Sequence, residues 1–243
     1  MTNMLMTNID RVVYFWYNIK NFERRKRMKQ EEKSRITYEK ILKAALAEFG
    51  AKSYDHASVR AMCSENNISK GLLYHHFKNK DELYLRCVTI TFEKLIHELK
   101  DVDWESGDVK QKFDRMLVRR QAFFEKNPYE ANIFFNAILQ PPAHLQNDIR
   151  SIRQTYDDFC EAYYSRLLDM IRLRDSYTKD LALKYMMLSQ ELFNSHFQTK
   201  LRHTSDLDMI IKDHEIGLSQ IFDLMLYGIA DEHGEHKEHS SKI

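Results

Sequence analysis

The chain is poor in the residues that break helices. Its 243 residues include only 3 prolines and 6 glycines. Tight turns and hairpins depend on both, so their scarcity argues for long helices with few reversals. Cysteine is scarce as well. Cys63, Cys87 and Cys160 are odd in number and widely spaced, which argues against a disulfide framework and suits reduced thiols in a cytoplasm. No apolar run approaches the roughly 18 residues of a membrane span. The nearest, Val12 to Tyr17, is followed by Asn18 and Lys20 and by no small-residue cleavage site. A glycine-rich phosphate loop, a nucleophile elbow and a metal-spaced His/Glu set are all missing. No catalysis, no cofactor and no metal site is therefore expected.

What is present is charge, unevenly placed. The formal net charge is only +1, yet residues 1–80 hold 16 Lys and Arg against 8 Asp and Glu, leaving residues 81–243 with a net −7. A basic front and an acidic rear suggest that the front meets a polyanion.

Residues 1–27 share no pattern with the rest of the chain, and they end in Glu23-Arg24-Arg25-Lys26-Arg27 directly before Met28. One reading is a basic arm of a DNA-binding protein. The preferred reading is a translated leader: Arg24-Arg25 encoded as AGG-AGG in a purine-rich stretch would be a ribosome-binding site, with Met28 as the true start. Residues 1–33 are accordingly expected to be a leader or flexible arm.

From Ile36 the pattern turns helical. Ile36, Ile41, Leu42, Ala45, Leu46 and Phe49 form one stripe, and Gly50 is expected to stop the helix. Ser58 is a good cap for a second helix with Val59, Met62 and Cys63 turned inward. Asn67 stands where a left-handed residue is needed, and Ile68 plugs the core beneath that turn. Ser69 caps a third helix whose Leu73 and Phe77 share one face. Two short helices across a tight turn make a helix-turn-helix. Its second helix needs an apolar face to hold it and an opposite face that donates to phosphates and base edges. Lys70, Tyr74, His75, His76 and Lys80 supply that second face, and Gly71 allows a close backbone approach to DNA.

The stretch "SVRAMCSENNISKGLLYHHFKNKDELY", residues 58–84, resembles the DNA-binding signature of the TetR/AcrR family of bacterial transcriptional regulators. The resemblance covers about residues 35–88. Met62-Cys63 and Asn66-Asn67 depart from the usual Ile-Ala and Ala-Gly, conservatively in size or backbone behaviour. The resemblance implies an all-α protein with a helix-turn-helix domain over 34–80, a helical ligand-binding and dimerisation domain over 81–228, and a tail over 229–243. It implies that Ser58 caps its helix and binds a phosphate, and that Arg60 reaches bases or backbone. Ser69 belongs to the same surface as the cap of the recognition helix. Lys70, Gly71 and Leu72 would read bases, Leu72 with an apolar contact to a thymine methyl. Tyr74, His76 and Lys80 would grip phosphates, and His75 either.

The rear reads as helices over 81–100, 108–126, 128–140, 144–174, 178–203 and 206–228. Asn127-Pro128-Tyr129-Glu130 is a start signal, with Asn127 as cap and Glu130 at the capping-box position. Polar residues on apolar faces are the candidates for ligand contact: Asn136, Tyr156, Tyr163, Gln190 and Asn194, with His196 beside them. The family's dimer helices correspond to the last two. Leu181, Tyr185, Leu188, Leu192, Ile210, Gly217, Leu218, Ile221, Phe222 and Met225 are the expected interface. His233, His236 and His239 in the tail suit a solvated end better than a metal site. The function expected is a dimeric repressor of a palindromic operator, released by a small molecule. The alternative is a DNA-bound structural or partner-binding protein on the same fold.

Overall fold

The computed structural model describes residues 8–101, 104–201, 203 and 206–229, with side chains described from residue 26 to residue 226 of that range. Nine α-helices account for almost all of it. They are α1 (Asn8–Ala51), α2 (Val59–Glu65), α3 (Lys70–His76), α4 (Lys80–Leu99), α5 (Val109–Lys126), α6 (Pro128–Leu139), α7 (Gln146–Leu168), α8 (Lys179–Leu201) and α9 (Leu207–Ile229). No described helix is long and apolar enough to cross a membrane. The all-α architecture expected from composition is what is found.

Local chemistry sets most boundaries. The Ser58 hydroxyl accepts from Ala61 N at 3.2 Å and that of Ser69 from Leu72 N at 3.2 Å, so both short helices carry the side-chain cap their first turns require. Asn67 takes a left-handed φ of 50°, which Asn tolerates better than most residues. A reciprocal capping box forms at Asp108 and Gln111 at the start of α5.

Several expectations fail for identifiable reasons. The capping box expected at 127–130 is absent. Asn127 turns back and donates its side-chain amide to Phe123 O at 2.8 Å, closing α5 instead of opening α6. Glu130 is buried and accepts from Lys94 Nζ of α4 at 2.6 Å. Gly50 does not end α1, which runs to Ala51; its role is a close approach to α6. The helix expected to reach residue 174 ends at Leu168, where Asp169-Met170 turns. Ile36 lies on the stripe by spacing but is 53% exposed, and the packing of α1 on its neighbours starts at Tyr38. The stretch expected as a leader or flexible arm is helical from Asn8, and every residue from Lys26 to Ile36 is exposed. The tail with its three histidines lies outside the described residues.

One continuous apolar core runs through both parts of the molecule. The carboxyl-terminal half of α1 packs on α2, α4 and α6. The long α4 packs on α5, α6 and α7, and α8 and α9 close the rear against α7 and α5. Phe92 in the middle of α4 meets Phe134 of α6 at 5.1 Å and Tyr156 of α7 at 5.7 Å between ring centroids. The helix that leaves the front therefore threads the aromatic centre of the rear.

Candidate nucleic-acid interface and interior cavity

The helix-turn-helix is held from below. Leu73 and Phe77 are 1% and 3% exposed, and Met62, Cys63 and Ile68 join them in the core. Burial raises the pKa of the Cys63 thiol, as suits a packing residue rather than a reactive one. Tyr38 of α1 stacks on Phe77 at 5.3 Å and accepts from Arg86 Nε of α4 at 3.2 Å, which ties three helices together. Lys40 Nζ donates to Asn67 O at 3.2 Å and closes the turn.

The opposite face is open. Ser58, Arg60, Ser69, Lys70, Gly71, Leu72, Tyr74 and His75 are all exposed. A Cβ added at Gly71 would meet nothing within 4 Å, so nothing inside the protomer requires glycine there. Leu72 and Tyr74 are large apolar side chains left 41% and 53% exposed on a short helix whose other face is fully packed. Two candidates have partners of their own. His76 is half-buried, 5.7 Å edge-on to Tyr38 and 5.2 Å from His75. Burial and then the neighbouring His75 lower its pKa, so it presents a neutral imidazole with one N–H to donate. Lys80 stands 4.4 Å over the Tyr54 ring, a cation–π contact at the first turn of α4.

The rear candidates separate. Asn194, Gln190 and Tyr156 line one small interior cavity with Arg120, Phe134, Ile138, Arg153, His214 and Leu218. Asn136 does not reach it; its Oδ1 accepts from Gln140 Nε2 at 2.5 Å at the end of α6. Tyr163 is buried elsewhere, donating to Lys112 O at 2.8 Å and packed on Trp104, because its place on α7 looks toward α5. His196 is exposed and rests on Phe197. Sequence reasoning missed the charged members. Arg120 is 3% exposed and its guanidinium lies 3.2 Å from the Glu215 carboxylate. His214 Nε2 lies 2.9 Å from Asn194 Oδ1 and Nδ1 lies 3.1 Å from Glu215. The signal was present: Arg120 shares a helical stripe with Phe113, Met116, Leu117, Phe123 and Phe124, where a solvated arginine has no place.

The sequence model described as bacterial regulatory proteins of the tetR family matches residues 41–87, which spans α2, α3 and the helices that hold them. Residues 41–87 are thus similar to the helix-turn-helix region of the tetR family. Transposon Tn10 TetC protein of Escherichia coli is 34% identical over 58 residues, 24% of this chain and 29% of that protein. An HTH-type transcriptional regulator of Bacillus subtilis, YxaF, is 25% identical over 131 residues, 54% of this chain and 69% of that one. The fold is shared with the Bacillus subtilis regulator FadR, solved in complex with stearoyl-CoA, at a TM-score of 0.57 and 14% identity, over 79% of this chain and 99% of that one. Regulation of transcription is what the matched family model and the Bacillus subtilis relative are described by.

Proposed function

We propose that this protein is a ligand-responsive dimeric repressor of the tetR family that binds a palindromic operator in the bacterial cytoplasm. The observation that carries the DNA-binding half is α3 itself. One face is buried through Leu73 and Phe77, and the other offers Lys70, Gly71, Leu72, Tyr74 and His75 to solvent with no described element of the protomer over it. Ser58 and Arg60 of α2 flank it, and His76 and Lys80 follow it. This surface combines point charges for phosphates with a short apolar and polar edge for bases.

A single recognition helix reads too few base pairs for an operator, so a second copy is required. An exposed apolar stripe supports the dimer. Leu181, Tyr185, Leu188 and Leu192 recur along one side of α8 and are 52%, 43%, 55% and 72% exposed. On α9 the matching exposed residues are Met209, Ile216 and Leu224. Ile210, Leu218, Phe222 and Met225, expected at the interface, are instead buried within the protomer, and Gly217 lies against Phe193.

A ligand in the rear cavity would act through α4. Tyr156 lines the cavity and packs on Phe92 of that helix. At the front end of α4, Asp81 accepts from Tyr54 and stands 3.3 Å from His144 of the rear domain. A ligand that spreads α7 from α4 changes the angle at which α4 presents the front domain, and hence the spacing of two recognition helices across a dimer. The stearoyl-CoA complex of the FadR regulator supports a small-molecule effector for this chain.

The test is a footprint of the full chain on DNA around its own gene at stated salt. One protected palindrome is the expected result. Uniform, salt-sensitive protection without a discrete site would remove the operator reading.

A further inference from the structure

The cavity beside Arg120 holds a buried donor without a partner among the described residues, and its charges are already paired. Arg120 Nε is buried and has no hydrogen-bond partner among the described residues. Nη2, on the same edge as Nε, lies 3.2 Å from Glu215 Oε1, and the guanidinium face lies 5.4 Å from the Phe124 ring and 5.2 Å from the Phe134 ring. Asn194 Oδ1 lies 2.9 Å from His214 Nε2 and Gln190 Oε1 accepts from Tyr164 at 2.6 Å, and neither bonds Arg120 Nε. A buried donor left unmade is costly, so this one calls for an acceptor from outside the chain.

Charge selects the kind of acceptor. Arg120 is matched by Glu215. Arg153, the other cation on the cavity wall, is matched by Asp157 at 3.0 Å and Glu191 at 2.6 Å. His214, between Asn194 and Glu215, is held toward its neutral form by burial. No positive charge remains among the described lining residues to compensate an anionic headgroup, and an uncompensated buried charge is strongly disfavoured. A cation would meet the donor edge of Arg120. What fits is a neutral acceptor.

The cavity also has a route outward. Ile138 and Arg153 line both it and a cleft of about 700 Å³ between α6, α7 and α8. The Arg153–Glu191 pair spans α7 to α8, so it latches the boundary between the two spaces. The inner space is closed down to about 10 Å³, room for roughly one water molecule, so a ligand must open the latch to enter.

We propose that the effector is a neutral carbonyl compound, a ketone or amide with an apolar body, whose oxygen accepts from Arg120 Nε while its body lies against Phe134, Tyr156 and Leu218. This rests on the ligand-responsive reading of the rear domain and names the chemistry of its site.

A matched set of probes on one ring tests it: acetophenone, ethylbenzene, benzoate and 1-phenylethylamine, titrated into the full chain by calorimetry and followed by the Arg120 Nε–H resonance in NMR. Acetophenone is expected to bind roughly ten to a hundred times more tightly than ethylbenzene, the range for a hydrogen bond to a charged donor. It is also expected to move the Arg120 Nε–H signal. Arg120→Lys, which keeps a cation beside Glu215 but removes Nε, should erase that preference and leave ethylbenzene unaffected. The double variant Arg120→Met/Glu215→Gln, which leaves no unpaired charge, should do the same if Arg120→Lys fails to fold. Equal binding of acetophenone and ethylbenzene, no binding of acetophenone, or binding without movement of the Arg120 signal would each overturn the assignment, the last leaving water as the partner of Nε. Operator release by benzoate or the amine, with acetophenone inert, would sink the neutral-acceptor assignment and leave the ligand-responsive repressor standing.

Discussion

Tyr129 lies against Gly50 with no room for a methyl group between them. A Cβ at Gly50 would stand 2.5 Å from Tyr129 Cβ, 2.6 Å from its Cα and 2.8 Å from its carbonyl oxygen. The contact joins the last turn of α1 to the first turn of α6, and Asn132 reinforces it by donating to Gly50 O at 2.8 Å. It is a fixed point between the part of the chain that faces DNA and the part that holds the cavity. Gly50→Ala must push backbone from backbone, and we expect a loss of ~1–3 kcal/mol in urea denaturation. A change within about 0.5 kcal/mol, the scatter of ordinary surface substitutions, would mean the two helices part freely.

Gly71 makes the opposite prediction. Its added Cβ would meet nothing in the protomer. Gly71→Ala should stabilise the free protein by roughly 0.5–1 kcal/mol, through helix propensity alone. The same variant should bind operator about tenfold more weakly, the size of one lost contact to the approaching backbone. Stability and DNA affinity that rise together would remove Gly71 from the interface.

Acid should weaken the rear domain through His214. An ordinary histidine titrates near pH ~6.5. Burial lowers this one; a hydrogen bond to Glu215 opposes the shift, and the Arg120 charge adds to it. The unfolded chain therefore binds more protons as the pH falls below its own histidine pKa, and stability drops across the window down to the depressed folded value. Melting temperatures from pH 7 to pH 5 should fall more steeply for the wild type than for His214→Gln. Parallel curves would show that His214 is free to charge in place.

The exposed stripe of α8 predicts the oligomeric state. Leu188→Glu/Leu192→Glu places two charges where 55% and 72% of each side chain is solvent-exposed in the protomer. Helical circular dichroism should be retained, because neither residue supports the core, while sedimentation shifts from dimer to monomer. A dimer that survives both changes uses another surface.

The packed and exposed faces of α3 were legible because their information is local. Ser58 and Ser69 are read as caps from one residue type at one place, and the structure gives each its bond to the third residue on. Leu73 and Phe77 are four apart, and period alone sends them inward. Where the sequence misled, a residue had two uses and the local one lost. Asn127 could cap the helix after it or close the helix before it, and packing of α5 on α6 chose the second. Glu130 could complete a capping box, but Lys94 of α4 was near enough to claim it.

The sequence by itself determined the all-α class, the helix-turn-helix and its outward residues, since caps, period and a left-handed Asn67 act over a few neighbours and need no distant partner. Only the tertiary structure decided which polar residues of the rear share a cavity. Arg120, Gln190, Asn194 and His214 come from three helices whose mutual rotation no local pattern records. Tyr156 and Tyr163, seven apart and so on one face of α7, part company because they lie two turns apart along its axis: Phe92 and Phe134 meet the first, Trp104 and the Lys112 carbonyl the second.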